Sequence, residues 1–233
     1  MIDADVLLPD DLFSALPGAD AVQAHAIPVN ADRWSKAIAN RGLPSLQGKL
    51  AEPGHTTISR AEVFDQADRE VTTENAFQLL YYSLAWGLGI RAPRLHARLN
   101  ALAADPDRAG ELLLKAWETA RAGAPAAEVY SALATDRGSG RIRQLGPAFA
   151  TKFLYFAQGA AAEPRLLILD AVVAGNLAEA WPGAATWGWY PQTYGRYCDL
   201  MANWAGQATE RLNGARKVRA DEIELVLFRR RPE

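Results

Sequence analysis

A chain of 233 residues that is 49% hydrophobic and 22% charged has the composition of an ordinary globular protein. It is long enough for one compact domain or two closely packed lobes. The formal net charge is −2. The chain therefore lacks the strongly basic overall charge that is typical of many nucleic-acid-binding proteins.

A single cysteine, Cys198, excludes an intrachain disulfide, and the three histidines show no spacing typical of a zinc site. The N-terminus lacks the basic start and apolar core of a signal peptide, and no apolar run has the length of a membrane span. We therefore expect a soluble cytoplasmic protein without metal, cofactor or membrane contact.

The first part of the chain predicts little regular structure. Residues 1–30 are punctuated by proline and aspartate and predict at most one helical turn, over Asp11–Leu16. The run Asn30–Asn40 predicts a helix that is capped by Asn30, with Trp34 and Ile38 facing the core. A loop over Gln47–Gly54 follows.

Helices are predicted more strongly after residue 58. Ser59 and Glu62 have the spacing of a capping box at a helix start. Glu74–Gly89 is apolar nearly all round, which is typical of a helix at the centre of the molecule. Proline and helix-forming patterns predict three further helices, over Arg91–Leu102, Asp105–Arg121 and Pro125–Leu133.

The next segment predicts two helices joined by a tight turn. Arg141–Leu145 is typical of a short amphipathic turn of helix with Ile142 and Leu145 as its apolar points. Gly146-Pro147 ends it, because glycine tolerates the dihedral angles of a turn and proline suits the first position of a helix. Helical spacing then continues from Ala148 through Phe149, Phe153 and Phe156.

Such a hairpin presents backbone N–H groups at a helix start, and these suit a phosphate oxygen. Between Arg137 and Arg165 the chain also carries five basic residues and one acidic residue. We interpret the hairpin as a clamp on the DNA backbone. The alternative is a pair of helices that merely pack against each other. The residues assigned to backbone binding are Arg141, Arg143, Leu145, Gly146, Pro147 and Ala148.

The remainder predicts an extended approach and helix over Leu166–Ala180, an aromatic-rich loop over Trp181–Tyr190 and a helix over Pro191–Leu212. A last helix begins at Arg219 or Asp221 and ends at Arg229. No stretch alternates with period two for long enough to demand a sheet. The predicted class is all-α, with nine or ten helices.

Two segments resemble a known superfamily. LGPAFATKFLYFAQG followed by LILDAVVAGNL is similar to the helix-hairpin-helix and aspartate segment of DNA glycosylases. More narrowly, ISRAEVF, GRIRQLGPAFATKFLYFA, PRLLILDAVVA and ADEIELVLFRR resemble bacterial 8-oxoguanine DNA glycosylase-like proteins of the OGG fold. The resemblance implies two helical lobes with a cleft between them. It also implies a base-excision-repair enzyme whose partner is double-stranded DNA containing a damaged base.

On this basis we expect residues 58–233 to form the glycosylase-like domain of a monomer, with residues 1–57 packed on it. The resemblance marks Asp170 as the carboxylate that stabilises a sugar cation, while capping of the following helix is the alternative from the local sequence. Lys152 is the candidate nucleophile for an associated AP-lyase step. Burial among apolar neighbours would lower its pKa, and a lysine that reaches solvent or a DNA phosphate is the alternative.

The chain departs from the superfamily pattern at three positions. Ala148 occupies the usual place of the nucleophilic lysine, one helical turn before Lys152. Gln144 replaces the first hairpin glycine, which leaves Gly146 alone to make the turn, and Ala171 replaces a residue that is often basic or small and polar. A monofunctional enzyme, or a non-catalytic DNA-binding module that retains the clamp, therefore remains an alternative. A helical interaction protein unrelated to DNA is a third.

Two further features follow from the resemblance. The hairpin carbonyls around Gln144 and Gly146 are a candidate monovalent cation site. A glycosylase must also stack an everted base against aromatic groups, although loop and core packing are the alternatives for each candidate. Asp221 or Glu222 could bond the base, with helix capping as the default. The aromatic candidates are Trp86, Trp187, Trp189, Tyr190 and Tyr194.

Overall fold

The computed structural model describes residues 6–134, 141–160, 163–181 and 186–230. The predicted all-α class is confirmed, with twelve α-helices in the described residues where nine or ten were expected. None of the described helices has the length and hydropathy needed to cross a bilayer.

In chain order the elements are α1 (Asp10–Ser14), α2 (Ala19–Gln23), β1 (Ala26–Asn30), α3 (Ala31–Ile38), a 3-10 turn (Gly48–Leu50), β2 (His55–Ser59), α4 (Arg60–Ala67), α5 (Thr73–Leu88), α6 (Leu95–Ala103), α7 (Pro106–Arg121), α8 (Ala126–Leu133), α9 (Pro147–Ala157), α10 (Ala171–Ala180), α11 (Pro191–Arg211) and α12 (Ala220–Arg229).

The centre of the molecule is α5, as its apolar composition predicts. Every residue from Ala76 to Trp86 is buried, and the helix packs against α4, α7 and α9. Thr72 caps its start by accepting a hydrogen bond from the N–H of Asn75 at 3.2 Å. The hairpin helix α9 is buried from Ala150 to Ala157, so that only its first turn reaches the surface.

Both predicted helix caps in the first third of the chain are confirmed. Asn30 Oδ1 accepts a hydrogen bond from the N–H of Arg33 at 2.9 Å at the start of α3. Ser59 and Glu62 form the reciprocal capping box, in which each side chain accepts from the other residue's backbone N–H. Trp34 is fully buried, as expected from its position in α3.

The expectation of no sheet is wrong. Strands β1 and β2 pair antiparallel, from Ala26 opposite Ser59 to Asn30 opposite His55. Each strand has five residues and only one buried side chain, Val29 or Ile58, so the alternation is too short to appear in the sequence. The predicted domain boundary after residue 57 falls inside β2, and the β1–β2 pairing therefore spans it.

The helix predicted over Arg91–Leu102 begins later, at Leu95. Ala92 and Arg94 have φ angles of 40° and 57°, which helical residues do not adopt. Pro93 lies between them and restricts the residue before it, so it acts as part of the turn between α5 and α6. The predicted polar turn at residues 136–140, with Arg137, lies outside the described residues.

Candidate active site

The hairpin turn has a different conformation from the one predicted. Arg141–Leu145 is a turn and not a helical segment, closed by a hydrogen bond from Leu145 N–H to Ile142 O at 3.1 Å. Gln144 adopts the left-handed conformation, with φ at 65°, whereas Gly146 has φ at −69°. The expectation that Gly146 alone makes the turn is therefore wrong. Gln144 retains the left-handed geometry that a glycine would adopt at lower cost.

Two backbone donors of the predicted clamp lie at the start of α9. The N–H groups of Gly146 and Ala148 have no acceptor among the described residues. Pro147 has no N–H, and the N–H of Leu145 donates within the turn, while the Leu145 side chain is buried. Unpaired N–H groups at a helix start favour an anion, so Gly146 and Ala148 are the hairpin's phosphate donors in this interpretation.

One carbonyl group of the predicted cation site at the hairpin already accepts hydrogen bonds within the protein. Gly146 O accepts hydrogen bonds from the N–H groups of Phe149 and Ala150, at 2.9 and 3.0 Å, within the first turn of α9. A monovalent cation near Gln144 stays a prediction. In the described part of the chain, no three histidine, cysteine or acidic side chains group together as metal ligands.

Lys152 and Asp170 are brought together by the fold. Lys152 Nζ lies 2.9 Å from Asp170 Oδ2, and their side chains are 7% and 14% exposed. Nζ also donates to Ala148 O at 3.4 Å. The two residues are 18 positions apart in the chain. They meet because the extended segment before α10 lies along α9, where Thr151 Oγ1 accepts a hydrogen bond from Leu169 N–H and donates one to Leu169 O.

Asp170 also caps α10, so the structural alternative for this residue is observed. Its Oδ1 accepts hydrogen bonds from the N–H groups of Val172 and Val173, both at 3.1 Å, while Oδ2 faces Lys152. Burial by itself would raise the pKa of Asp170. The charge and hydrogen bond of Lys152 and the two backbone bonds outweigh it and hold the pKa below its usual value. Asp170 is therefore a carboxylate at neutral pH.

A cavity of about 520 Å³ lies next to residues that contact or neighbour this ion pair, while Lys152 and Asp170 themselves are not among its lining residues. It reaches the pair through Ala171, which follows Asp170, and Ala148, whose carbonyl oxygen accepts from Lys152. The described lining residues include four arginines and no acidic residue. The cavity is lined by Arg94, Arg98, Arg141, Arg143, Gln144, Gly146, Pro147, Ala148, Phe149, Ala171, Thr186, Trp187, Gly188 and Trp189.

Of the five aromatic candidates, Trp187 and Trp189 line the cavity. Trp187 is 81% exposed, whereas Trp189 is nearly buried and its carbonyl oxygen accepts a hydrogen bond from Tyr130 at 2.9 Å. Tyr190 is exposed but does not line the cavity.

The other two candidates belong to the core, which corrects their assignment to a base pocket. Trp86 is buried and donates its indole N–H to His25 O at 3.1 Å. Tyr194 is fully buried, stacks on Tyr130 and bonds both backbone groups of Leu167. The reason is that α5 and α11 turn these faces into the core, where backbone groups of the connecting segments at His25 and Leu167 bond the polar ends of the rings.

Asp221 and Glu222 have internal partners, in agreement with the capping alternative. Both are fully buried. Glu222 Oε1 accepts from the N–H of Arg219 at 2.9 Å, and Asp221 Oδ2 accepts from Arg219 Nη2 and from Tyr155 Oη at 2.6 and 2.8 Å. These bonds tie the start of α12 to the last turn of α9 and engage both carboxylates within the protein.

Sequence reasoning missed Arg94 and Arg98 of the cavity wall. Arg94 is the N-cap of α6, and Arg98 lies in the first turn of the helix, four residues later. Arginines with that spacing are common on solvent-exposed helices. Only the fold, which brings α6 to the hairpin, distinguishes these two arginines from ordinary surface residues.

The turn before α9, the aspartate that caps α10 and the cavity lined by that turn and Ala171 correspond to the segments of the resemblance described above. The sequence model of the family described as "Putative 8-oxoguanine DNA glycosylase OGG-like protein" matches residues 20–228. The chain belongs to this family. No curated protein and no solved structure gives a significant match. Membership of this OGG-like family supports a DNA glycosylase-like role and DNA binding, and it leaves the substrate and the lyase step to be argued from the site.

Proposed function

We propose that this OGG-like protein is a base-excision DNA glycosylase that removes an oxidised purine, with 8-oxoguanine as the first candidate. The observation that carries the proposal is the Lys152–Asp170 ion pair beside a cavity lined by arginines and two tryptophans. The cavity volume of about 520 Å³ lies in the range of small-ligand pockets. In this proposal a base everted from the duplex enters the cavity and stacks on Trp187, which lines the cavity and is exposed.

Asp170 supplies the charge that the reaction needs. Cleavage of an N-glycosidic bond passes through a sugar cation, and a carboxylate fixed nearby stabilises that cation. Asp170 is ionised at neutral pH and is held in one orientation by two backbone N–H groups and Lys152. A group that is already oriented needs little reorganisation when the positive charge develops.

Lys152 acts as the nucleophile in the same step. Its ammonium, which is paired with Asp170 in the free protein, first loses a proton to water, so that Asp170 stays a charged carboxylate. The neutral amine then bonds to C1′ of the deoxyribose while the C1′–N9 bond breaks, and the bonding pair leaves with the base, which takes up the proton that Nζ loses after the new C1′–N bond has formed. Opening of the C1′–O4′ bond, with protonation of O4′, yields a protonated Schiff base between Nζ and C1′. This intermediate permits the associated AP-lyase step.

The hairpin holds the duplex during these steps. The N–H groups of Gly146 and Ala148 bind one phosphate, and Arg141 and Arg143 supply positive charge beside it. The short path from Ala148 to Lys152, one helical turn along α9, sets the distance between that phosphate and the amine.

One observation favours the non-catalytic alternative. The Lys152 side chain is only 7% exposed and is already paired, as expected of a lysine that merely neutralises a buried carboxylate. In that case the protein is a DNA-binding module that keeps the clamp without the chemistry.

Borohydride trapping on a duplex containing 8-oxoguanine distinguishes the two functions, because borohydride reduces the Schiff base to a stable amine. Base release and strand nicking are measured in parallel. We expect a covalent adduct with the wild type and none with Lys152→Ala. The matched control is Lys115→Ala, which removes an exposed lysine of α7 and should leave trapping unchanged.

Three results would revise the proposal in different ways. Base release without an adduct would make the enzyme monofunctional, and an adduct that survives Lys152→Ala would place the nucleophile elsewhere. Duplex binding without base release from any tested oxidised purine would instead establish the non-catalytic module. Asp170→Asn should abolish base release while leaving binding of undamaged duplex unchanged.

A further inference from the structure

The arginine pair at the start of α6, Arg94 and Arg98, has no ion-paired carboxylate in the part of the chain that the structure describes. Arg94 and Arg98 line the cavity together with the hairpin arginines. None of the ion pairs found among the described residues involves Arg94, Arg98 or Arg143. Together with burial, the charge of Arg94 lowers the pKa of Arg98, because the two like charges repel each other, and an anion bound between them would relieve that repulsion.

Arg98 is held in place by α9. Its guanidinium stacks over the Phe149 ring, 4.2 Å from the ring centroid, and its Nη1 donates to Pro93 O at 2.7 Å. Its Nε is buried without a hydrogen-bond partner among the described residues. Burial and the charge of Arg94 both lower the pKa of Arg98. The side chain is therefore oriented and partly desolvated, and its Nε still lacks an acceptor from the described residues.

Arg94 completes the pair at the N-cap of α6. It has the left-handed φ angle of 57°, an uncommon conformation for a residue with a side chain, and it is exposed. The φ angle belongs to the turn that places α6 beside the hairpin. Phe149, whose ring Arg98 covers, lies in the first turn of α9, three residues after Gly146. Arg98 therefore packs on the same helical turn that carries the N–H donors of Gly146 and Ala148.

We propose that Arg94 and Arg98 bind a second phosphate of the DNA backbone, distinct from the one held at the start of α9. This inference rests on the proposed function and extends it, since the duplex is then held from two elements around the cavity. A guanidinium presents its donors in a plane that matches two phosphate oxygens, which favours a phosphodiester as the ligand. Free inorganic phosphate has the same oxygen acceptors, and the test below distinguishes binding of free phosphate from binding of DNA.

The test measures the affinity of full-length protein for an undamaged duplex over a range of salt concentrations. The variants are Arg94→Ala/Arg98→Ala, Arg141→Ala/Arg143→Ala and the control Arg108→Ala/Lys115→Ala. The control removes two exposed positive charges of α7 that do not line the cavity. Circular dichroism confirms that each variant is folded. If loss of the Arg98–Phe149 contact prevents the double variant from folding, Arg94→Ala alone, a change at an exposed position, replaces it in the binding measurements.

We expect the α6 double variant to weaken binding about tenfold or more and to reduce the slope of log K against log salt by about 1 or more. The loss should be similar for lesion-bearing and undamaged duplexes, because a phosphate contact carries no sequence information. The α7 control should change neither quantity. Arg94→Ala alone should give a smaller loss in the same direction.

Each contrary result has its own meaning. An α6 variant that binds like the α7 control, while the hairpin variant binds weakly, would overturn this inference and leave the proposed function intact. Thermal stabilisation by inorganic phosphate that is lost in the α6 variant, with DNA affinity unchanged, would make the pair a free-phosphate site and would also overturn it. Absence of duplex binding by the wild type would overturn the proposed function itself.

Discussion

Gly87 of α5 lies directly against the side chain of Lys152 of α9. A Cβ atom added at residue 87 would stand 2.7 Å from Cδ and 3.1 Å from Cε of Lys152, and 3.4 Å from the ring of Phe149. Distances this short require one of the groups to move. The absence of a side chain at Gly87 therefore gives the Lys152 chain its path to Asp170.

Gly87→Ala should impair the chemistry more than the fold. Alanine in a helix is favoured over glycine by about 1 kcal/mol, which offsets part of the clash, so we expect little change in thermal stability. Displacement of Nζ by about 1 Å should reduce the rate of borohydride trapping by about 10²-fold. Gly206→Ala in α11 is the matched control, because a Cβ there meets nothing within 4 Å. Unchanged trapping in Gly87→Ala would show that the position of Lys152 is not critical.

Asp170→Asn should destabilise the protein by about 1–3 kcal/mol at neutral pH, because Lys152 is left without its carboxylate partner. Asparagine is as good an N-cap as aspartate, so the loss reports the ion pair and not the cap. Urea unfolding measures the free energy of unfolding of both proteins.

The same comparison has a defined pH dependence. Since the pKa of Asp170 is lowered on folding, the unfolded state binds the proton more readily. The stabilisation by Asp170 is complete above its unfolded pKa of about 3.9 and is lost as the pH falls through the lower folded value. The wild type should therefore lose its advantage over Asp170→Asn only below about pH 3.9. A difference that disappears at a higher pH would contradict this assignment.

Glu224→Gln should be among the most destabilising single substitutions. Arg60 and Glu224 form an ion pair at 2.8 Å with side chains 0% and 1% exposed, and Tyr155 is the other partner of Arg60. Removal of one charge leaves the other buried and uncompensated, which costs about 3–5 kcal/mol. The control is Glu111→Gln, which breaks the exposed pair with Arg108 and should cost less than about 1 kcal/mol. Equal losses in the two urea unfolding curves would contradict the prediction.

Trp187→Ala should reduce affinity for lesion-bearing DNA without loss of stability. The ring is 81% exposed, so its removal should change the free energy of unfolding by no more than about 0.5 kcal/mol. Loss of stacking on an everted base should weaken binding of a lesion duplex by about 1–3 kcal/mol, and binding of undamaged duplex by less. Tyr190→Ala is the control, since Tyr190 is exposed outside the cavity lining. Equal effects on both duplexes would assign Trp187 to general DNA contact.

Local patterns in the sequence were sufficient for most helices and several contacts. The caps at Asn30 and Ser59, the buried helix α5 and the helix start at Pro147 depend on residues within a few positions of one another. Hydrogen bonds and apolar periodicity on that scale can be recognised without the fold. The same locality explains the errors at β1–β2 and at Gln144, where short strands and a left-handed residue leave little trace in composition.

The amino-acid sequence by itself determined the all-α class, the helix start at Pro147 and the two residues, Lys152 and Asp170, that the resemblance made worth examining. Only the tertiary structure decided that these two residues meet, that Gly87 leaves room for their contact, and that Arg94 and Arg98 face the hairpin's cavity. The reason is physical. A side-chain contact between distant segments depends on how helices cross and turn, and α5, α6 and α9 acquire that geometry from the packing of the whole core.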